Sequence, residues 1–305
     1  MFRRDSVLLF FVTCAVRSRF AVQAGLLLEP QLSSHKAYWA ESTPTVCVVV
    51  RTHSKQRSSL LPTFATLVHS APTATRFVFV DTDEVAFTEL PSLVDGFNQL
   101  TALPLAKVSR WDQKLSRAEF PTFKKNDFGY IATDLVIEDL LKEREEARLN
   151  PLNAQLPCEL LAVTNGDNLY SRDFFHATIS VLLKEESAGL VATHFVSHYN
   201  NTRTWKPEMS GVCNVFRAGA DAEFVACLKE NHVDLGAVLM RTSLFETLTL
   251  PNSTHPKRFV VDRLRTQQKK KAAKINMFTL DGQLFSFFGT KTGSEIVHRT
   301  LFVHQ

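Results

Sequence analysis

Leu160-Leu161-Ala162-Val163-Thr164-Asn165-Gly166-Asp167-Asn168-Leu169-Tyr170-Ser171 is a short apolar run that stops abruptly in a turn bearing one carboxylate and two carboxamides. Such a run reads as a buried strand that delivers polar groups to the edge of a sheet. Asn165 and Asp167 stand two apart, a spacing that suits a shared divalent cation, and Gly166 between them lets the backbone turn without Cβ strain. The same letters also fit an ordinary strand-to-loop turn, because Asn-Gly and Gly-Asp are common turn dipeptides. The flanking sequence has to decide.

Upstream, Val46-Cys47-Val48-Val49-Val50 is a continuous apolar run ending at Arg51-Thr52-His53, and Leu60 to His69 carries helical apolar spacing. A second run, Arg76-Phe77-Val78-Phe79-Val80, ends at Asp81-Thr82-Asp83. Strand, helix and strand in this order favour parallel pairing. Ligands of open parallel sheets bind outside the carboxyl ends of the strands, so Arg51, Thr52, Asp81 and Asp83 are expected to face one crevice. The glycine-rich signatures of dinucleotide and P-loop sites are absent from the sequence, while a metal-bridged diphosphate stays open.

Between these strands and the central run, Pro91 to Phe123 reads as irregular. Asn126 to Asp134, which includes Tyr130, then opens a helix to about Arg148, with Asp127 as its cap and Ile131, Leu135, Ile137, Leu140 and Leu141 facing inward. Asp134, near the start of that helix, is placed to contact a sugar nucleotide or, as exposed carboxylates usually do, to face solvent. Beyond the central run, Phe174 to Lys184 reads as a helix and Gly189 to Phe195 as a strand. Tyr199 to Cys213 reads as a loop, and Phe224 to Glu230 as a helix. Val233 to Met240 is expected to cross beneath a pocket whose entrance is formed by Asp234 and Gly236. A helix from Phe278 to Phe288 contains Asp281, and a terminal strand ends in His304, which either returns its imidazole to a metal or frays.

At 305 residues, 45% hydrophobic and 22% charged, the chain is sized for one large core. Twenty-four Phe recurring in apolar runs point to a strand-rich core. The net charge of +4 is dispersed, and its one dense basic run, Lys269 to Lys271 with Lys274, lacks the aromatic interleaving and zinc-ligand spacing of a nucleic-acid binder. No nucleic-acid partner is expected.

Residues 1–24 read as a secretory signal peptide or short signal anchor, with basic Arg3-Arg4, apolar Val7 to Val16 and a cleavage point near Val22-Gln23-Ala24. The apolar stretch is about half the roughly 20 residues a stable span requires, so membrane association is expected only through this segment if it stays uncleaved. Residues 25–45 form a lead-in, and 46–305 the domain. Sequons at Asn200 and Asn252 agree with residence in the ER or Golgi lumen or with secretion. Cys47 reads as a small buried hydrophobe, whereas Cys213 and Cys227 flank a polar loop and are expected to pair in an oxidising lumen.

The order of Val48-Val49-Val50-Arg51-Thr52, Phe79-Val80-Asp81-Thr82-Asp83, Thr164-Asn165-Gly166-Asp167-Asn168, Asp234-Leu235-Gly236-Ala237-Val238-Leu239 and Leu280-Asp281-Gly282 resembles that of a family 2-like glycosyltransferase with the GT-A fold. The resemblance covers roughly Val46 to His304 and implies a single α/β domain with a Rossmann-like, mostly parallel central sheet flanked by helices. It implies a nucleoside-diphosphate sugar donor, a glycan, protein or lipid acceptor, and Mn²⁺ or Mg²⁺. Asp81 would contact base or ribose, beside Arg51, Thr52, Asp83, Tyr130, Asp134 and Asn165. Asp167, with His304, would hold the metal, and Asp281 would activate the acceptor or else cap its helix. Two departures stand out. Asn165 replaces the first Asp of the metal motif, removing one negative charge, and Leu280 replaces the acidic neighbour of Asp281. A secreted, noncatalytic carbohydrate-binding or scaffold protein that kept the fold is the competing reading.

Overall fold

The computed structural model describes residues 44–83, 86–101, 107–111, 129–150, 157–197, 222–224, 228, 233–249, 256–262 and 280–304. They belong to one compact unit, Pro44–Gln305. The expected leader, most of the lead-in, Asp127, Asn200, Cys213, Cys227, Asn252 and the lysine run lie outside the described residues. No helix among the described residues is long and apolar enough to cross a membrane.

Strand β1 (Val46–Thr52) is buried along its whole length. It pairs in parallel with β2 (Thr75–Asp81) on one side and with β4 (Leu160–Asn165) on the other. A strand flanked on both edges and covered on both faces has no wet face, which is why all three read as apolar runs rather than alternations. Helix α1 (Leu60–Ser70) connects β1 to β2. Its Phe64 packs against Phe77, Phe79 and Phe97, with ring centres 5.3, 5.9 and 4.5 Å away. On β2, Val78 and Val80 belong instead to the cluster containing Ile131, Val136, Ile137 and Leu140. The two-residue alternation of β2 thus feeds both layers of the core.

Phe97 lies on α2 (Leu90–Leu100), which together with β3 (Lys107–Trp111) corrects the irregular reading of Pro91 to Phe123. Pro91 sits in the first turn, where its missing N–H costs nothing, and Leu90, Val94 and Phe97 repeat at helical spacing on the buried side. Strand β3 pairs with β2 alone among the described strands, and one of its five residues, Val108, is buried. Helix α3 (Tyr130–Leu149) begins after Gly129, which has φ 77°. A Cβ at Gly129 would strike the side chain of Thr82, so glycine is needed there for both backbone and space.

After β4 come β5 (Leu169–Tyr170), α4 (Phe174–Lys184), β6 (Leu190–Ser197) and β7 (Ala222–Phe224). Phe224 therefore ends a strand rather than opening a helix. A 3₁₀ turn (Leu235–Ala237) leads into β8 (Val238–Arg241), followed by α5 (Leu244–Thr247), α6 (Leu280–Thr292) and β9 (Ser294–His304). Among the described residues the sheet runs β3-β2-β1-β4-β8-β6-β9-β5, with β7 on β6. Pairings on the β3-to-β4 side and between β6 and β9 are parallel, while β4–β8, β6–β8, β6–β7 and β5–β9 are antiparallel. This is a helix-flanked α/β domain, and its sheet is mostly but not purely parallel: the long registers are parallel, and the antiparallel ones are short. Apolar runs alone do not record strand direction, so the antiparallel pairings carried no sequence signal.

Cys47 and Cys158 form a disulfide, with Cα atoms 5.5 Å apart and 111 residues between them in sequence. Cys47 is not the free buried thiol expected of it. Both cysteines are fully enclosed, and Arg76 Nη1 donates to Cys158 Sγ while also pairing with Glu143.

Candidate functional site

The strand registers bring the crevice together. Arg51 on β1 stands opposite Val80 on β2 and Asn165 on β4, and Thr52 stands opposite Asp81. Gly166 extends this edge, its N–H donating to Arg51 O at 2.8 Å. Its carbonyl accepts from Ser59 Oγ and Thr63 Oγ1 at 3.1 and 3.0 Å. A Cβ there would lie 2.5 Å from Leu60 Cδ2 and 3.1 Å from Gln56 Oε1. Glycine is thus required by close packing and not by a left-handed φ, which among the described glycines occurs at Gly129 and Gly293.

Several expected donor contacts turn out to be engaged in the loops. Asp81 accepts from the N–H groups of Asp83 and Phe87 at 3.0 and 2.8 Å, and so organises the turn after β2. Asp83 Oδ2 accepts from Ser54 N at 2.6 Å, tying the loop after β2 to the loop after β1. Thr52 is wholly buried, its hydroxyl donating to Val80 O at 3.0 Å, so its role is within the sheet. Asp134 is corrected more sharply. It neither lines the crevice nor faces solvent, being fully enclosed with its carboxylate accepting from the N–H groups of Phe259, Val260 and Val261. Burial pushes that carboxyl up to about 6 against the pull of the three amides and Arg258.

At the carboxyl end of β1, the Arg51 guanidinium lies 4.6 Å from the centre of the Tyr130 ring, both residues being buried. Asp281, in the first turn of α6, is partly exposed, and its Oδ1 accepts from Gly282 N at 3.1 Å. Burial and then the nearby Asp234 push the Asp281 carboxyl up to about 7, with the Gly282 N–H and Arg51 acting in the opposite direction. The Tyr130 hydroxyl is raised far above its ordinary range, chiefly by burial and then by Asp281, with Arg51 opposing. Arg51, Tyr130, Asp234 and Asp281 therefore feel one another's charge although they come from four separate elements. A carboxyl that changes charge near neutrality, at the partly exposed start of a helix, suits a general base.

Asp234 caps the 3₁₀ turn, Oδ1 accepting from Gly236 N at 2.9 Å, while His304 Nδ1 lies 3.4 Å from its other oxygen. The backbone at Gly236 is closed in by its neighbours. Tyr170 donates its hydroxyl to Gly236 O at 3.1 Å, and a Cβ at Gly236 would lie 2.6 Å from the Phe302 ring. His304 thus meets Asp234, beside the 3₁₀ turn. The metal expectation rests on Asp167, whose Oδ1 is buried without a hydrogen-bond partner. One orphaned carboxylate oxygen fits a hard cation that takes its remaining ligands from phosphate and water. Among the described residues, no three His, Cys, Asp or Glu side chains gather to hold a metal by themselves.

Two parts of this arrangement carried no sequence signal, namely the stacking of Arg51 on Tyr130 and the seating of Phe259 on Asp134. Both join residues far apart in the chain, with no fixed spacing to mark them.

No family model matches the chain, and no curated relative matches it either. Solved structures of S. aureus TarS are similar to it. The fragment TarS 1–349 gives a TM-score of 0.47 at 10% identity over 86% of this chain and 60% of that one. A longer TarS chain gives 0.45 at 12% identity over 86% and 36%, and TarS 1–349 in complex with UDP-GlcNAc gives 0.42 at 9% identity over 85% and 58%. The chain thus spans about 60% of the first of these structures. Identity this low transfers no site residue.

Proposed function

We propose that this protein is a glycosyltransferase that moves a sugar from a nucleoside-diphosphate sugar to an acceptor hydroxyl of a glycan, protein or lipid, with inversion. The observation that carries the reading is Asp281, a partly exposed carboxyl held near neutrality beside Arg51 and Asp234 at the edge of the crevice. In the reaction the acceptor oxygen forms a bond to the anomeric carbon, the bond from that carbon to the diphosphate oxygen breaks, and Asp281 takes the acceptor proton. Arg51 supplies fixed positive charge on the donor side, and Asn165 and Asp167 offer oxygens at the end of β4. Asp234 borders the acceptor side, with His304 against it.

Mn²⁺ or Mg²⁺, when bound, would supply positive charge against the departing diphosphate. Asp167 would hold it, the motif having one fewer negative charge because of Asn165. Location in the secretory lumen, or secretion, is supported by the buried Cys47–Cys158 disulfide, since such bonds persist in oxidising compartments.

The test is hydrolysis and transfer measured with a panel of nucleoside-diphosphate sugars and mixed acceptors, with Mn²⁺, with Mg²⁺ and with chelator. Turnover of one donor that is lost in Asp281→Asn supports the reading. Carbohydrate binding without turnover of any donor by a folded protein rejects it in favour of a noncatalytic carbohydrate-binding role.

A further inference from the structure

Asp134 lies one turn along α3 from Tyr130, with no part of its side chain exposed. Its Oδ1 accepts from Phe259 N at 2.9 Å, and its Oδ2 from Val260 N and Val261 N at 2.8 and 3.0 Å. Three consecutive amides converging on one carboxylate fix the path of that turn, because an ionised carboxylate only accepts and each of these N–H groups needs an acceptor. The turn is braced on either side. Lys257 Nζ lies 2.8 Å from Asp262 Oδ2 in an enclosed ion pair, and Arg258 Nη1 donates to Phe245 O at 2.7 Å.

The first residue of the turn reaches two parts of the candidate site. The Phe259 ring, 1% exposed, lies 5.4 Å from the Tyr130 ring and 6.2 Å from the Phe285 ring, the latter at 83°. Tyr130 carries the Arg51 guanidinium on its ring, and Phe285 lies one turn after Asp281 on the buried side of α6. A covalent path between α3 and α6 would be more than a hundred residues long. The path through Phe259 needs two ring contacts.

We propose that Asp134 and Phe259 form a positioning unit, in which the carboxylate seats the ring and the ring sets the spacing between the Arg51–Tyr130 pair and Asp281. This rests on the reading of Asp281 and Arg51 as the working site. Neither member of the unit touches substrate. Packing alone does not call for a buried carboxylate at this point, since an apolar side chain of similar volume often serves stability as well. The carboxylate gives direction, holding three amides in one orientation, and an apolar contact does not.

Phe259→Leu keeps the site filled with an apolar side chain but removes the edge and face contacts of the ring. Asp134→Asn keeps one acceptor oxygen and turns a donor toward the amides. The readout is the titration of Asp281, followed by carbon-13 NMR of aspartate carboxyls and assigned with Asp281→Asn. Asp281 is faced by Asp234, by Arg51 on β1 and by Tyr130 on α3, so a change in their spacing moves its midpoint from about 7. Phe259→Leu is expected to shift that midpoint by about half a pH unit or more, and to lower kcat roughly tenfold with little change in donor KM. Asp134→Asn added to Phe259→Leu is expected to cost less than the two effects combined, because both act through one contact path. Phe97→Leu, in the ring cluster around Phe64, serves as the control for lost stability alone and is expected to leave the midpoint in place.

If Asp134→Asn fails to fold, Phe259→Leu and Phe259→Met still carry the test. An Asp281 midpoint unmoved in folded Phe259 variants overturns the proposal. A moved midpoint in a protein that transfers no sugar upholds the positioning unit while rejecting the catalytic reading.

Discussion

Arg51, at the carboxyl end of β1, places its guanidinium 4.6 Å from the ring centre of Tyr130, the first residue of α3. The contact fixes a positive charge at the crevice edge, where it opposes the upward push on the Asp281 carboxyl. Arg51→Met retains a long side chain and removes the charge. The midpoint of Asp281 should then rise, and the acid limb of the pH–rate profile, where transfer is lost as the carboxylate is protonated, should move to higher pH. Tyr130→Phe keeps the ring and should move the profile far less. A pH–rate series on the three proteins decides this, and an unmoved midpoint in Arg51→Met would refute the electrostatic role of Arg51.

Asp281→Asn should lower transfer by roughly 10²–10⁴-fold while leaving donor binding in place, since Asn caps or fills a helix start nearly as well as Asp. The variant also has a stability signature whose sign is fixed. The wild-type carboxyl is raised from 3.8 to about 7 by folding, so its contribution to stability is full below the unfolded value and is lost as pH rises through about 7. Asp281→Asn should therefore gain stability relative to wild type between pH 4 and pH 8. Urea denaturation across that range measures the difference. A constant gap would show that the carboxyl is not displaced from its ordinary range.

The disulfide closes a loop that contains α1, β2, α2, β3 and α3, the half of the sheet that includes the Arg51 edge. Replacing both cysteines by Ala should cost about 2–5 kcal/mol, most of it through the freedom returned to the unfolded chain. Thermal melts of the double variant and of reduced wild type would show it, and equal melting temperatures would mean that the bond contributes little.

Asp167→Ala should abolish any Mn²⁺-dependent part of nucleoside-diphosphate binding without unfolding the protein, because one of the two oxygens it removes, Oδ1, is buried and has no hydrogen-bond partner to lose. Calorimetric titration of the diphosphate, with and without Mn²⁺, separates that part from binding through Arg51. Equal affinities in wild type and Asp167→Ala under both conditions would remove Asp167 from the metal assignment.

The apolar runs at Val46–Val50, Phe77–Val80 and Leu160–Thr164 announced three buried strands, and the polar residues ending them marked one crevice, because strand burial and strand termination are local properties of composition. Helices α1, α4 and α6 were legible for the same reason, their apolar spacing persisting over several turns. Helix α2 was hidden by Pro91 and Gly96, whose usual reading is a break, although Pro91 occupies a first-turn position where it is tolerated.

The mixed direction of the sheet, the partner of Cys47 and the place of Asp134 were decided only by tertiary structure. Strand direction depends on how connections travel, and Cys47 met Cys158 because β1 and β4 are neighbours across a long stretch of chain. Asp134 occupies a helix position that sequence leaves equally suited to solvent or ligand, and it is the arrival of three amides from residues 259–261 that encloses it. Local sequence sets which groups need burial or a partner. Which partner arrives depends on chain closure over more than a hundred residues, and no short-range spacing encodes that.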